Sequence, residues 1–389
     1  MRRSIGDMPS RRGEAQRLLL AATLLTCVLL FAASRQLRAP AGDALRVASR
    51  AAHASHAQPH LTPAPLVAIA DIHGDLENAL KSLQLRRAPC KLQPALQGTV
   101  CTGSSYAPRR PTRQRSGVAD DKGAWIGGTT NLVQTGDLVD RGDSSVAVLR
   151  LFWRLRDEAR AAGGNVTLLL GNHEIWAMSG QNEYVSEAEL RRLGQGQPGG
   201  LRSAAAALSA GRRAWDALFS ATGDLGRVLA ATHEAAAVVG EGACRTLFVH
   251  AGLSPAFAKQ SPVAPALTAR LRAALAKAHG PRLAASDGPF FGAAGPFWLR
   301  KLALGSEAAA CADVAKVLRA ADATRMVVGH TVQPQGARTR CGGALVLLDS
   351  GVSRAYYGSP AAWECREVEG AAALEEAGRR PLQTPQNAE

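Results

Sequence analysis

Short apolar runs recur along the chain, each too brief for a helix and each ending in His, Asp, Asn or Gly. Leu66 to Ala70 runs into Asp71-Ile72-His73-Gly74-Asp75. Leu132 to Gln134 leads toward Gly136-Asp137-Leu138-Val139-Asp140-Arg141-Gly142-Asp143, and Thr167 to Leu170 enters Gly171-Asn172-His173-Glu174. Thr246 to Val249 enters His250-Ala251-Gly252-Leu253-Ser254-Pro255, Arg325 to Val328 enters Gly329-His330-Thr331, and Ala344 to Leu348 ends at Asp349-Ser350-Gly351. Continuous apolar runs read as buried strands, and in layered α/β folds the polar chemistry collects beyond their carboxyl ends. Helical spacing falls between them, at Leu76, Leu80 and Leu83 and again at Val146, Leu149, Phe152 and Trp153. Residues 203–237 and 265–279, rich in Ala, Leu and Arg, also read as helical. The pattern predicts one α/β domain over 66–366, with an aperiodic insertion loop at 86–128 and a frayed tail at 367–389.

A different pattern stands at the start. Residues 18–34 are uncharged and apolar apart from two Thr and the closing Ser34. Arg2, Arg3, Arg11, Arg12 and Arg17 precede them, and Arg35 and Arg38 follow. A helix of that length just crosses a thin bilayer, and the charge bias predicts a basic cytosolic tail at 1–17 with the body outside the cytosol. The expectation is a single-pass type II membrane protein of the endomembrane system with a lumenal catalytic domain. The alternatives are cleavage as a signal peptide or an organellar targeting peptide. Residues 35–65 read as a flexible linker, and His53, His56 and His60 within it have no companion carboxylate or Cys at ligand spacing.

Composition narrows the function classes only once charge is located. The 389 residues are 46% hydrophobic, which excludes wholesale disorder. The net charge of +14 invites a nucleic-acid reading. However, residues 1–60 carry nine Arg against three acids and residues 86–122 carry eight basic against two acidic residues. The remainder, 29 basic and 27 acidic, is nearly neutral. The excess marks membrane orientation and one loop, so no specific nucleic-acid partner is expected.

Of seven Cys, Cys27 lies in the apolar segment, leaving an even six that suit an oxidising compartment. Local bridges Cys90–Cys101 and Cys341–Cys365 are the expected pairings. Asn165-Val166-Thr167 is a glycosylation sequon, but it leads directly into an apolar strand, which argues against its use.

The strand ends carry a set of metal ligands. Asp71 and His73 can turn toward one point if the backbone turns at Gly74, and Asp137 can bridge two ions. Asn172, His250 and His330 supply a second set. Mixed His and carboxylate ligation suits two divalent ions such as Mn, Fe or Zn, which activate a bridging water and clamp a phosphoryl group for in-line attack. His173 can protonate the departing oxygen, Asp140 can hold its other nitrogen, and Arg141 can fork onto phosphate oxygens. His233 and His279 read as surface histidines, Asp75 and Glu77 as helix-starting acids, and Asp143 as a helix cap.

These motifs, spanning most of residues 66–358, resemble the metallophosphoesterases and, among them, the phosphoprotein phosphatase family. His250-Ala251-Gly252, Gly329-His330-Thr331, Trp125-Ile126-Gly127-Gly128 and Gly295-Pro296-Phe297-Trp298-Leu299-Arg300 resemble its Shewanella-like branch. The resemblance implies a calcineurin-like four-layer α/β/β/α sandwich. It implies one ion on Asp71, His73 and Asp137, and another on Asp137, Asn172, His250 and His330. It further implies His173 with Asp140 as the acid pair and Arg141 on phosphate; the second phosphate-binding Arg of eukaryotic members has no clear counterpart, and Arg300 is the candidate by its place in the Gly295–Arg300 motif. The carboxy-terminal Tyr-containing segment of eukaryotic members is absent unless Tyr356 or Tyr357 substitutes for it. The implied activity is that of a protein serine/threonine phosphatase acting on a phosphoprotein. The alternative is hydrolysis of dinucleoside polyphosphates or other small phosphate esters.

Overall fold

In the computed structural model the described residues are 64–85, 99–102, 117–196, 203–277, 283 and 287–365. Ten strands run in chain order: β1 (Leu66–Ile69), β2 (Thr99–Thr102), β3 (Asn131–Gln134), β4 (Asn165–Leu168), β5 (Ala236–Val239), β6 (Thr246–Val249), β7 (Arg325–Val328), β8 (Arg338–Arg340), β9 (Leu345–Leu347) and β10 (Ala361–Cys365). The helices are α1 (Leu76–Leu83), α2 (Ser145–Ala161), α3 (Asn172–Met178), α4 (Glu187–Gln195), α5 (Ala204–Phe219), α6 (Asp224–Thr232), α7 (Val263–Lys277), α8 (Lys301–Leu304) and α9 (Glu307–Ala321).

The strands form two five-stranded sheets, ordered β2-β10-β1-β3-β4 and β5-β6-β7-β9-β8. The motif-bearing strands are parallel neighbours, β1 with β3 and β4 in one sheet and β6 with β7 and β9 in the other, so their carboxyl ends open on one side. Alternation of side chains divides the core. Leu66, Ala68, Val133, Phe248, Val327, Val346 and Trp363 fill the layer between the sheets. Ile69, Leu132, Leu247, Val249, Met326 and Val328 face the helical layers with Phe152, Trp215 and Leu271. Two sheets back to back with helices outside are the expected four-layer sandwich.

Several local expectations are corrected. Residues 99–102, assigned to a loop, add an edge strand to the first sheet by pairing with β10. Val118 and Ala119, also within 86–128, are buried in the helix-side core. Ala236–Val239, taken as the end of a helix, is a strand, because an Ala-rich run carries no period of its own. His233 is fully buried; its Nδ1 donates to the Leu169 carbonyl (3.2 Å) and its Nε2 accepts from the Trp153 indole (3.0 Å). Asp143 accepts only from the Ser144 hydroxyl among these groups, and the first N–H groups of α2 are instead met by Glu189, 3.0 and 3.2 Å from Ser145 and Val146.

The disulfides also differ from expectation. Cys365 pairs with Cys244 and Cys341 with Cys311, so the Cys341–Cys365 bridge does not form. Cys341 lies at the outer edge of the second sheet, whereas Cys365 belongs to β10 of the first, beside the start of β6. The Cys244–Cys365 bond therefore ties the two sheets together. Cys90, and with it the other expected pair, lies outside the described residues, as do residues 18–34. Among the described residues, no helix is long and apolar enough to cross a membrane.

Candidate metal centre

Each ligand candidate sits one to four residues beyond a parallel strand, on backbone bent out of the strand direction. His73, Asp137, Asp140, Arg141 and His330 all adopt positive φ, between 46° and 69°. Non-glycine residues rarely hold that conformation unless their surroundings fix it, and such residues cluster at functional sites. The surroundings here are explicit. Glu174, fully buried at the start of α3, accepts the backbone N–H groups of Gly171 (2.7 Å), Asp137 (2.9 Å), Leu138 (2.7 Å) and Val139 (3.2 Å). One carboxylate thus pins the second motif to the third. Glycine is required alongside, since a Cβ on Gly329 would collide with the Asp71 carboxylate and one on Gly171 with that of Asp137.

Asp137 lies at the centre. Its Oδ2 is 3.7 Å from His73 Nε2 and 3.4 Å from His250 Nε2, while His250 Nε2 is 3.0 Å from Asn172 Oδ1. His73 Nδ1 donates to the Val139 carbonyl (3.2 Å) and His250 Nδ1 to the Thr135 carbonyl (2.9 Å), an arrangement that aims both Nε2 atoms at Asp137. Asp71 Oδ1 and His330 Nε2 are buried without any hydrogen-bond partner. An acceptor left unpaired in the interior costs about 1–3 kcal/mol, and several converging on one space fit a cation. Ligand atoms of His73, Asp137 and His173, and of Asp137, His250 and His330, gather within 4.8 Å of one another.

The electrostatics agree with that fit. Burial lowers His73 to about 3 and His330 to about 2, so both imidazoles are neutral and carry a lone pair. Burial also raises Asp71, helped by Asp349 and Asp137, an accumulation of carboxylates that positive charge would relieve. Burial alone would raise Asp137 too, but His250 and its neighbouring histidines hold it well below the ordinary carboxylate range. A third group, Glu307 with Cys311 and Cys341, is not comparable, because its sulfurs are joined in the disulfide.

Beside the ligands, His173 Nδ1 stands 2.7 Å from Asp140 Oδ2, both side chains buried. Arg141 is exposed, its guanidinium 4.4 Å from the Tyr184 ring centroid and 5.7 Å from that of Tyr356. Arg300 Nη1 donates to the His330 carbonyl (3.1 Å), which brings this residue to the fifth motif. All ten residues selected from the sequence therefore lie around one centre.

Other residues there were missed. Asp349 closes the sixth apolar run but had no role; it is buried near enough to Asp71 to raise it, with Oδ1 accepting from Gly351 N (2.9 Å). Asp75 caps α1, as a helix-starting acid should, accepting from Asn78 N (3.1 Å). It also binds Arg354 through the backbone N–H and Nε (both 2.8 Å) and Nη2 (3.0 Å). That clamp holds the loop carrying Tyr356, whose ring centroid lies 5.2 Å from that of His73. Trp176 and Tyr184 flank His173 at 4.8 and 5.3 Å, and Trp298 stands 6.1 Å from Trp176. The sequence signal for this rim was the aromatics within or just after two motifs.

Paired sheets ending in a His, Asp and Asn cluster define a metal-dependent hydrolase of phosphate esters. Residues 64–334 match the calcineurin-like phosphoesterase family, and the chain belongs to it. It is 31% identical over 299 residues to an uncharacterized protein of Schizosaccharomyces pombe, covering 77% of this chain and 76% of that one. It is 26% identical to Shewanella-like protein phosphatase 2 of Arabidopsis thaliana, covering 75% and 72%. The fold is similar to that of a cold-active protein-tyrosine phosphatase from a psychrophilic Shewanella, with TM-score 0.54, 22% identity and coverage of 74% and 72%. The protein is an enzyme of the metallophosphoesterase type.

Proposed function

We propose that the protein hydrolyses phosphomonoesters on phosphoserine or phosphothreonine side chains of proteins, using two divalent ions drawn from Mn, Fe or Zn. The supporting observation is the convergence of Asp137 Oδ2 with the Nε2 atoms of His73 and His250, beside the unpartnered Asp71 Oδ1 and His330 Nε2. Asp71, His73 and Asp137 would hold one ion, and Asp137, Asn172, His250 and His330 the other. Bound there, the ions would supply a Lewis-acid clamp on the phosphoryl group and lower the pKa of the attacking water.

The chain's own residues do the rest. Arg141 and Arg300 hold phosphate oxygens, and the Tyr rings on either side of Arg141 keep its guanidinium over the site. His173 delivers a proton from Nε2 to the departing oxygen, while Asp140 at Nδ1 fixes the orientation of the ring.

The aromatic rim of Trp176, Tyr184, Trp298 and Tyr356 supports a second reading, a substrate with a planar group next to the phosphate. A tyrosyl phosphate or a dinucleoside polyphosphate has that shape. Phosphate release from matched phosphoserine, phosphothreonine and phosphotyrosine peptides and from a dinucleoside tetraphosphate decides between them. The first reading requires the highest kcat/KM on the serine or threonine peptides. For location, the two disulfides and the Arg-flanked segment 18–34 support a membrane-tethered enzyme with its catalytic domain in an oxidising lumen.

A further inference from the structure

We infer that Asn165 is an N-linked glycosylation site, an inference that rests on the lumenal placement proposed above. The sequon Asn165-Val166-Thr167 occurs once in the chain. The apolar strand it enters argues against its use, but alternation along β4 separates the two faces. Val166 and Leu168 are buried, Asn165 is exposed, and Thr167 is half-buried. Asn165 Nδ2 donates to Thr167 Oγ1 at 3.2 Å, so the carboxamide and the hydroxyl that define the acceptor are presented together on one face.

The backbone context leaves that side chain free to carry a large group. β4 is the outermost strand of its sheet, preceded by the turn at Gly163 (φ 80°), and the Asn165 amide is already satisfied by the Thr130 carbonyl (3.1 Å). Asn172 and His173 follow the carboxyl end of the same strand, whereas Asn165 begins it. A glycan would therefore project from the side opposite the metal centre and leave the substrate path open. The Cys244–Cys365 and Cys311–Cys341 bonds, on which the lumenal placement itself draws, suit the compartment in which the modification occurs.

In the modification the Asn165 side-chain nitrogen, Nδ2, bonds to the anomeric carbon of an oligosaccharide carried on a lipid pyrophosphate. The sugar–phosphate bond breaks, the lipid pyrophosphate departs, and the amide loses one proton. The test is expression of the full chain in a eukaryotic secretory host, followed by peptide N-glycosidase treatment and mass analysis of the peptide containing residue 165. The expected result is one discrete loss of mass on treatment, absent in Asn165→Gln and Thr167→Ala and retained in Thr167→Ser, with phosphatase turnover unchanged in all three. An unmodified Asn165 overturns the inference. Alkylation of the cysteines then separates the two ways it can fail: intact disulfides show a refused acceptor in the right compartment, and free thiols show that the lumenal placement is wrong.

Discussion

Nδ1 of His173 lies 2.7 Å from Oδ2 of Asp140, with both side chains almost wholly buried. Burial pushes His173 down to about 4 and pushes Asp140 up, with the charge of Asp137 adding to the latter. Burial alone thus disfavours the charged form of each, and the two groups meet through a single hydrogen bond beside the ligands. That is a suitable arrangement for a general acid whose charged form is needed only when a proton leaves from the opposite nitrogen.

His173→Asn is expected to lower kcat by roughly 10²–10⁴-fold on alkyl phosphates, and Asp140→Asn by somewhat less. An aryl phosphate with a strongly acidic leaving group should lose far less in both variants, because its departure needs no proton. Equal losses on the two substrates would remove His173 from the acid role.

Glu174 is expected to be a structural keystone of the centre. Glu174→Gln turns an NH₂ group toward backbone N–H donors that now share two carboxylate oxygens. A loss of about 2–3 kcal/mol in denaturant unfolding is expected, together with weakened metal retention in the folded protein. Unchanged stability would mean that the second and third motifs are held by something else.

Arg354→Ala should release the loop that carries Tyr356, leaving the Asp75 carboxylate without its main partner. A rise in KM of roughly tenfold is expected, about 1.4 kcal/mol, with a smaller change in kcat. Arg354→Lys should recover little, because an ammonium cannot reproduce the two-pronged contact. Tyr356→Ala should raise KM likewise, and the double variant should fall short of the summed effects.

His233 gives a pH prediction independent of the metal centre. Burial lowers it to about 4, whereas the unfolded chain binds the same proton near 6.5. The unfolded state therefore takes up a proton first, and stability is lost as pH falls from about 6.5 to about 4, on the order of 3 kcal/mol in total. Above pH 6.5 the group contributes no pH dependence. Denaturant midpoints across that window should fall less steeply in His233→Phe than in the parent.

Much of the site was legible in the sequence for a physical reason. Asp71, His73, Asp137, Asn172, His250 and His330 each terminate an apolar strand, and parallel packing of those strands leaves the ligands nowhere to gather but one end. What supports the site was not legible. Glu174 and Arg354 act across 35–37 and 277–279 residues, distances at which no local period carries information. The Cys244–Cys365 pairing was missed likewise, because short spacing favoured Cys341 whereas the packing of one sheet on the other brings Cys365 to Cys244. β2 escaped because its four residues, though mostly β-branched, stand in an aperiodic segment, and β5 because its Ala pair continues an Ala-rich helical run.

The central claim is that phosphate release depends on metal held around Asp137. The direct measurement is turnover of a phosphopeptide by the full chain after exhaustive chelation and again after Mn²⁺ is restored, with Asp137→Asn carried in parallel and bound metal quantified in each sample. The account predicts two ions per chain in the parent, activity lost on chelation and regained with metal, and a variant inactive under both conditions. Undiminished phosphate release from metal-stripped protein, or from Asp137→Asn, would contradict it.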